Sequence, residues 1–195
     1  MAPRYSMNNA KRSFDILVAG LALIALSPVL LATALAVRFT SSGPILYWSK
    51  RVGAHSRLFS MPKFRSMRVD TPALATHLLT RPEQYLTPIG SLLRKTSLDE
   101  LPQLWSILKG DMSLVGPRPA LFNQDDLMEQ RRRVGVDRLV PGLTGWAQIN
   151  GRDEIPIPQK VALDAYYLTH QSFLLDLRIL LRTALQVVRR DGISH

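Results

Sequence analysis

FDILVAGLALIALSPVLLATALAV, residues 14–37, is the stretch on which the fold turns, and its only charge is Asp15, near the start. Roughly 20 apolar residues cross a bilayer as a helix, so length permits a span. Ser27 and Pro28 interrupt it near the middle. An interior proline removes a helical hydrogen bond and clashes with the preceding turn, so it kinks the helix. The Ser27 hydroxyl can satisfy a carbonyl freed by that break, as a helix in lipid requires. Basic residues flank both ends: Lys11 and Arg12 before, then Arg38, Lys50, Arg51, Arg57, Lys63, Arg65 and Arg68 after. Basic flanks stay in the cytoplasm, and a helix that enters one leaflet, bends at Ser27-Pro28 and returns satisfies both best. A plain span with a tolerated kink and a buried core helix are the competing readings. A cleaved signal peptide fits poorly, because the apolar core is long and no small-x-small site precedes RFTSSG.

Working outward, 195 residues suffice for one core. A net charge of +10 implies an anionic partner, whether nucleic acid, an acidic membrane surface or phosphorylated small molecules. Charge alone does not choose. With no cysteine, a disulfide framework, a thiolate nucleophile and a Cys-ligated zinc site are all excluded.

Beyond the turn-rich Ser41-Ser42-Gly43-Pro44, ILYWSK and RLFSMPKF read as two short strands about the Arg51-Val52-Gly53 turn region. Residues 70 to 90 read as a connection broken by prolines. A helix is expected from Leu98 to Leu108, stopped by Lys109-Gly110. Further helices are expected over Asp125–Val134 and Pro158–Thr169. SFLLDLRILLRTALQVVRR reads as a final amphipathic helix, suited either to an anionic membrane surface or to covering the core. The fold class that follows is α+β, mostly helical, with a small β-hairpin and amphipathic helices at an interface. Residues 1–40 hold the re-entrant membrane helix; residues 41–195 form a cytoplasmic catalytic domain, one fold unit with that helix.

The chemistry concentrates in Arg94-Lys95-Thr96-Ser97-Leu98-Asp99-Glu100-Leu101-Pro102. Ser97 and Glu100 have capping-box spacing, and that structural reading has force. The functional reading uses the same position. Carboxylates at a helix start are held ionised, and neighbours on a helix point apart, so Asp99 and Glu100 can divide labour. One attacks phosphorus while the other holds a divalent metal. Arg94 is placed to clamp a diphosphate. Prolines on both sides of Arg118, in Val115-Gly116-Pro117-Arg118-Pro119, stiffen the backbone around a side chain suited to bidentate phosphate contact; a rigid loop whose arginine pairs with a nearby carboxylate is the competing view, and the stronger one for this motif taken alone. Lys63 and Arg65 lie in KFRSM. In PGLTGWAQINGR, residues 141–152, glycines permit close approach of backbone and Arg152 is a candidate ligand for substrate; a structural turn is the competing view. The histidines have no metal-ligand spacing, and neither a P-loop nor a G-x-S-x-G elbow is present.

Together these motifs resemble the monotopic bacterial sugar transferases, polyprenyl phosphate phosphoglycosyl transferases of the small PglC-like type. The resemblance is carried by KRSFD, Ser27-Pro28, GPILYWSKRVG, MPKFRSM, LRKTSLDELPQLWSILKGDMSLVGPRP, PGLTGWAQINGR and LDAYY. It runs from residue 11 to residue 193 in the expected order. It implies a bacterial inner-membrane protein whose catalytic domain lies on the cytoplasmic face. It also implies a ping-pong reaction in which Asp99 attacks a UDP-sugar, UMP leaves, and undecaprenyl phosphate takes the phosphosugar. Glu100 matches a Mg2+ ligand. Arg94 and Arg118 match arginines that handle substrate phosphate, and Asp164 in LDAYY matches a further active-site acid; Lys63, Arg65 and Arg152 are assigned to substrate binding beside them. The family's aromatic-x-Gln is replaced by Trp48-Ser49, a departure expected to mark a substrate subgroup. Membrane lipids are implied partners and a homodimer is left open. A non-catalytic adaptor of this fold is opposed by the intact Asp99, Glu100 and Arg118. Nucleic acid is not an expected partner, since only charge favours it.

Overall fold

Three hydrogen bonds explain how the apolar block bends. The computed structural model describes residues 9–72, 81–151 and 155–189, and the block forms α1 (Asn9–Ala25) and α2 (Ser27–Thr40), bent by 62°. Pro28 has no N–H to give the Ile24 carbonyl, and the Ser27 hydroxyl donates to it instead at 2.8 Å. Amide bonds from Leu26 to Ala22 and from Leu30 to Leu26 carry the ladder across the break. The expected Ser27 rescue is therefore present. No single helix among the described residues is long and apolar enough to cross a membrane; α1 and α2, taken together across their bend, reach the length and apolar composition of a span.

The two helices divide their faces by helical period. On α1, Asp15 and Ala19 are buried while Leu17, Leu21 and Ile24 face out, Ile24 with 73% of its surface exposed. On α2, Thr33 and Val37 are buried, whereas Leu31, Leu35 and Phe39 are exposed, the last to 82%. The one charge in the block points into the protein. Asp15 accepts from the Ser113 hydroxyl at 2.7 Å and the Leu114 amide at 3.3 Å. Beside it, Lys11 pairs with Asp176 at 2.5 Å and donates to the Val115 carbonyl at 3.2 Å. Arg12 donates to the carbonyls of Ile107 and Leu108, at the end of the helix that stops at Lys109-Gly110. KRSFD is thus a polar seam fastening α1 to residues about 100 positions away.

Next come β1 (Leu46–Val52) and β2 (Leu58–Phe64), an antiparallel hairpin pairing Leu46 with Phe64 and Val52 with Leu58. Alternation puts Phe59, Met61 and Lys63 on one face and Pro62 and Phe64 on the other. Met61 joins the main core with Ala19, Ile107, Met112 and Ile179; Phe64 packs with Val37 and Leu93 in a second cluster under α2. The hairpin therefore separates two cores, and Lys63 emerges at the end of its main-core face.

After it come α3 (Gly90–Lys95), a 3-10 turn over Leu98–Gln103, α4 (Leu104–Lys109), β3 (Ser113–Val115), α5 (Asp125–Arg133), β4 (Gly142–Thr144), α6 (Trp146–Ile149), α7 (Ile157–His170) and α8 (Phe173–Arg189). The last helices match the periodicity to within a residue or two. Three features were not anticipated. Short α3 lies where a connection was expected to be ending, and β3 pairs in parallel with β4. The helix expected over Leu98–Leu108 is split, because Pro102 cannot donate to the Leu98 carbonyl and the first turn closes as 3-10.

Candidate active site

Asp99 and Glu100 stand on that 3-10 turn, entered through Ser97 with φ at +55°. The left-handed Ser97 makes no side-chain cap, so the expected capping box does not form. Glu100 turns to the hairpin instead. Its Oε1 accepts from Lys63 Nζ at 2.8 Å and from Arg118 Nη2 at 3.1 Å. Both bonds fall on the same oxygen. Asp99 is 7% exposed. The residues S-x-x-E are the same for a cap and for a charged site, which is why spacing alone pointed to both.

The two neighbouring carboxyls are tuned in opposite directions. Burial raises the Asp99 pKa above its ordinary value; Lys63, Arg94 and Arg118 oppose that, while the charge of Glu100 adds to it. Burial also works against ionised Glu100, yet Lys63 and Arg118, by charge and by direct hydrogen bonds, hold it well below the usual carboxylate range. Arg94, in the last turn of α3, contacts Ser66 Oγ at 3.3 Å and Met67 Sδ at 3.1 Å. Burial lowers its pKa, and the charges of Asp99 and Glu100 pull it back up. Three elements thus converge: β2 through Lys63, the 3-10 turn through its carboxylates, and the loop after β3 through Arg118.

The structure does not bring every expected residue here. Arg65 is buried, and its guanidinium is engaged by the Pro44 carbonyl at 2.6 Å and by the carbonyl and hydroxyl of Ser41 at 2.9 Å. It fastens the end of α2. Strand β2 stops at Phe64, so the alternation that aims Lys63 no longer governs Arg65. Asp164 is 2% exposed, and its Oδ2 accepts from Arg131 Nη2 at 2.6 Å and Nε at 3.0 Å. Arg152 lies outside the described residues. Ser49, in the departure from the family pattern, is buried and accepts from Arg51 Nε at 2.9 Å.

Arg131 was missed by sequence reasoning, hidden in the run Arg131-Arg132-Arg133. A signal existed: Leu127, Met128 and Arg131 recur at helical spacing, and all three are buried. The PGLTGWAQINGR glycines resolve toward structure. A Cβ on Gly142 would stand 2.1 Å from the Gly116 amide nitrogen, and one on Gly145 2.1 Å from the Gly116 carbonyl oxygen. These glycines let β4 close on the loop that carries Arg118. Gln148 and Asn150 bond the carbonyls of Leu143 and Trp146, and Trp146 stacks on Tyr166 at 5.3 Å.

Among the described residues, no three His, Cys, Asp or Glu side chains gather as a metal site. Mg2+ needs fewer, since it is held by one or two carboxylates with phosphate and water completing the shell. Asp99 and Glu100 supply such a pair, so the donor set fits.

Known proteins are similar to this chain over most of its length. The family model described as bacterial sugar transferase matches residues 6–190. The uncharacterized sugar transferase EpsL of Bacillus subtilis is 43% identical over 187 residues, covering 95% of this chain and 90% of the relative. The exopolysaccharide production protein ExoY of Sinorhizobium fredii is 40% identical, covering 89% and 83%. The UDP-glucose:undecaprenyl-phosphate glucose-1-phosphate transferase of Xanthomonas campestris is 40% identical over 92% of this chain but only 39% of its own length. On the match across nearly its whole length, the chain belongs to the bacterial sugar transferase family.

Proposed function

We propose that this protein transfers a sugar 1-phosphate from a UDP-sugar to undecaprenyl phosphate, with Asp99 as the covalent nucleophile. The observation that carries the reading is the asymmetry of two adjacent carboxyls. Glu100 is neutralised by Lys63 and Arg118, while Asp99 receives their fields without a comparable partner. An ionised oxygen under-coordinated in a buried site is a poised nucleophile.

In the first step an Asp99 oxygen bonds to the sugar-linked phosphorus, the P–O bond to the uridine phosphate breaks, and UMP departs with that oxygen and its electron pair. In the second step an oxygen of undecaprenyl phosphate attacks the same phosphorus and Asp99 leaves, giving a lipid-linked diphosphosugar and the free carboxylate. Arg118 and Arg94 are the cations that meet phosphate charge, and Lys63 keeps Glu100 ionised. Glu100 Oε1 is held by its two cations; the remaining oxygen of Glu100, with Asp99, would hold Mg2+. Bound there, the ion supplies charge neutralisation for the phosphates.

The acceptor is a membrane lipid, and the apolar surface suits that. Leu17, Leu21 and Ile24 on α1, Leu31 and Phe39 on α2, and Leu174, Leu177 and Leu181 on α8 are all exposed. Apolar surface on this scale is unusual for a soluble monomer. Arg178 and Arg182 lie beside the α8 stripe, as in helices that rest on anionic lipid. The bent α1–α2 pair enters and leaves on the cytoplasmic side of the bacterial inner membrane, with both basic flanks in the cytoplasm. The catalytic domain then meets the carrier's phosphate at the interface, and the product begins assembly of an extracellular polysaccharide or other glycan.

The test is mass spectrometry of purified protein quenched after exposure to a panel of UDP-sugars with Mg2+ but no acceptor. The productive donor adds one sugar phosphate to Asp99 and releases one UMP. A label on another side chain overturns the nucleophile. UMP release that requires undecaprenyl phosphate at every donor tested overturns the two-step scheme.

A further inference from the structure

The buried ion pair behind Arg118 has no part in the chemistry just described. Arg131 is 4% exposed and Asp164 2%. Two nitrogens of Arg131 bond Asp164, and the third, Nη1, donates to the main-chain carbonyl of Arg118 at 2.9 Å. All three guanidinium nitrogens are used, and the group is planar, so fixing two of them on Asp164 aims the third. Arg51 Nη1 donates to the next carbonyl, Pro119, at 3.1 Å.

This pattern answers a local need. The segment Pro117-Arg118-Pro119 has only one main-chain N–H in three residues. The Gly142 amide holds the Pro117 carbonyl at 2.9 Å, and there the strand-like pairing with β4 ends. The next two carbonyls, of Arg118 and Pro119, are each held by a guanidinium, one from α5 and one from β1. Arg118 then reaches Glu100. A buried ion pair contributes little net stability compared with apolar residues of the same size, so stability alone is a poor reason for burying this one.

We infer that Arg131 is a positioning residue for Arg118, and that Asp164 serves the site by aiming Arg131 rather than by contacting substrate. The inference rests on the transfer reaction proposed above for what Arg118 does, and on coordinates alone for how it is held.

A double-mutant cycle tests it. Arg131→Met with Asp164→Leu removes the pair without stranding a charge, and Arg131→Lys keeps a charge opposite Asp164 but cannot span both acceptors. Each is combined with Arg118→Lys, and UMP release is measured at saturating and limiting donor. In the native background kcat/KM falls about 10- to 100-fold, the scale of a misplaced catalytic contact, with a thermal transition close to that of the native chain. In the Arg118→Lys background the further loss shrinks to within about twofold, because the residue being aimed is already altered. Equal losses in both backgrounds overturn the inference and point to direct substrate contact by Asp164. Undiminished turnover in the native background overturns it as well. If the apolar pair does not fold, Arg131→Lys alone completes the cycle. Nitrogen-15 NMR of arginine side chains, on the full chain in detergent micelles, reads the same coupling without turnover. The Arg118 Nε–H signal, identified by its loss in Arg118→Lys, broadens or shifts in Arg131→Lys. An unmoved Arg118 signal rejects the positioning role even where no UDP-sugar is turned over, whereas a shifted signal with an inert native enzyme indicts the transfer reaction instead.

Discussion

Asp99 and Asp164 are both buried aspartates with arginines close by, and they are built to opposite ends. Asp164 is closed: one guanidinium makes two bonds to it and opposes the effect of burial, which still raises its pKa above the ordinary value. Asp99 is open. Lys63 and Arg118 form their short bonds with Glu100, and burial raises the Asp99 pKa despite these cations and Arg94. The contrast separates charge used to hold a shape from charge kept available for reaction, and it gives two substitutions of opposite thermal consequence.

The largest effect is expected from Asp99→Asn, which removes the nucleophile. UMP release should fall by at least about 10³-fold, the scale of losing a covalent catalytic group. Stability should move the other way. A folded pKa above the unfolded one means the contribution of Asp99 is fully present below the unfolded pKa and lost as pH rises through the folded value. At neutral pH the carboxyl therefore contributes less stability than it does in acid, and the amide raises Tm, by up to a few degrees. Near-normal turnover, or a clear fall in Tm, would break the distinction from this side. Asp164→Leu comes next. It strands the Arg131 charge in the interior and should cost about 3–5 kcal/mol in a denaturant titration, a loss that Arg131→Met largely restores. A single Asp164→Leu variant of native stability would show that the closed site is not closed.

These sites differ in how far the sequence discloses them. The hairpin, the last three long helices and the Ser27-Pro28 bend are written locally, in alternation, period and a missing donor. Asp99, Glu100 and Arg118 stand out through motif and resemblance. What holds them does not, because it is made by pairs distant in the chain. Asp15 meets Ser113, 98 residues away, and Arg131 meets Asp164, 33 away. Arg65 misleads for a related reason: its residue type suits a phosphate, but Ser41 and Pro44 reach it first. Gly142 and Gly145 read as ligand-facing because close approach is all a glycine announces, whether to a sugar or to another strand.

A subtler way to sharpen the comparison is to move the open carboxyl without touching it. Lys63 is the largest influence opposing burial at Asp99. Lys63→Met should raise the Asp99 pKa further, and the nucleophile must be ionised, so the acid limb of kcat/KM should shift toward higher pH. Glu100 loses a hydrogen bond in the same variant and its pKa rises too, with Arg118 still opposing the effect of burial there. A displaced acid limb with a preserved neutral plateau is the expected profile; an unmoved limb would mean that another group controls it.

The smallest effect tests whether closure works the same way where no charge is involved. The Ile24 carbonyl sits in the apolar bend, and the Ser27 hydroxyl is what satisfies it. Ser27→Ala leaves that acceptor without its donor and should cost about 0.5–1.5 kcal/mol in micelles. Pro28→Ala returns a main-chain N–H four residues after Ile24, which can close the ordinary helical bond. In that background Ser27→Ala should cost almost nothing. If the serine substitution is equally harmful with alanine at 28, the hydroxyl is serving something other than the missing proline bond, and the bend must be held from elsewhere along α1 and α2.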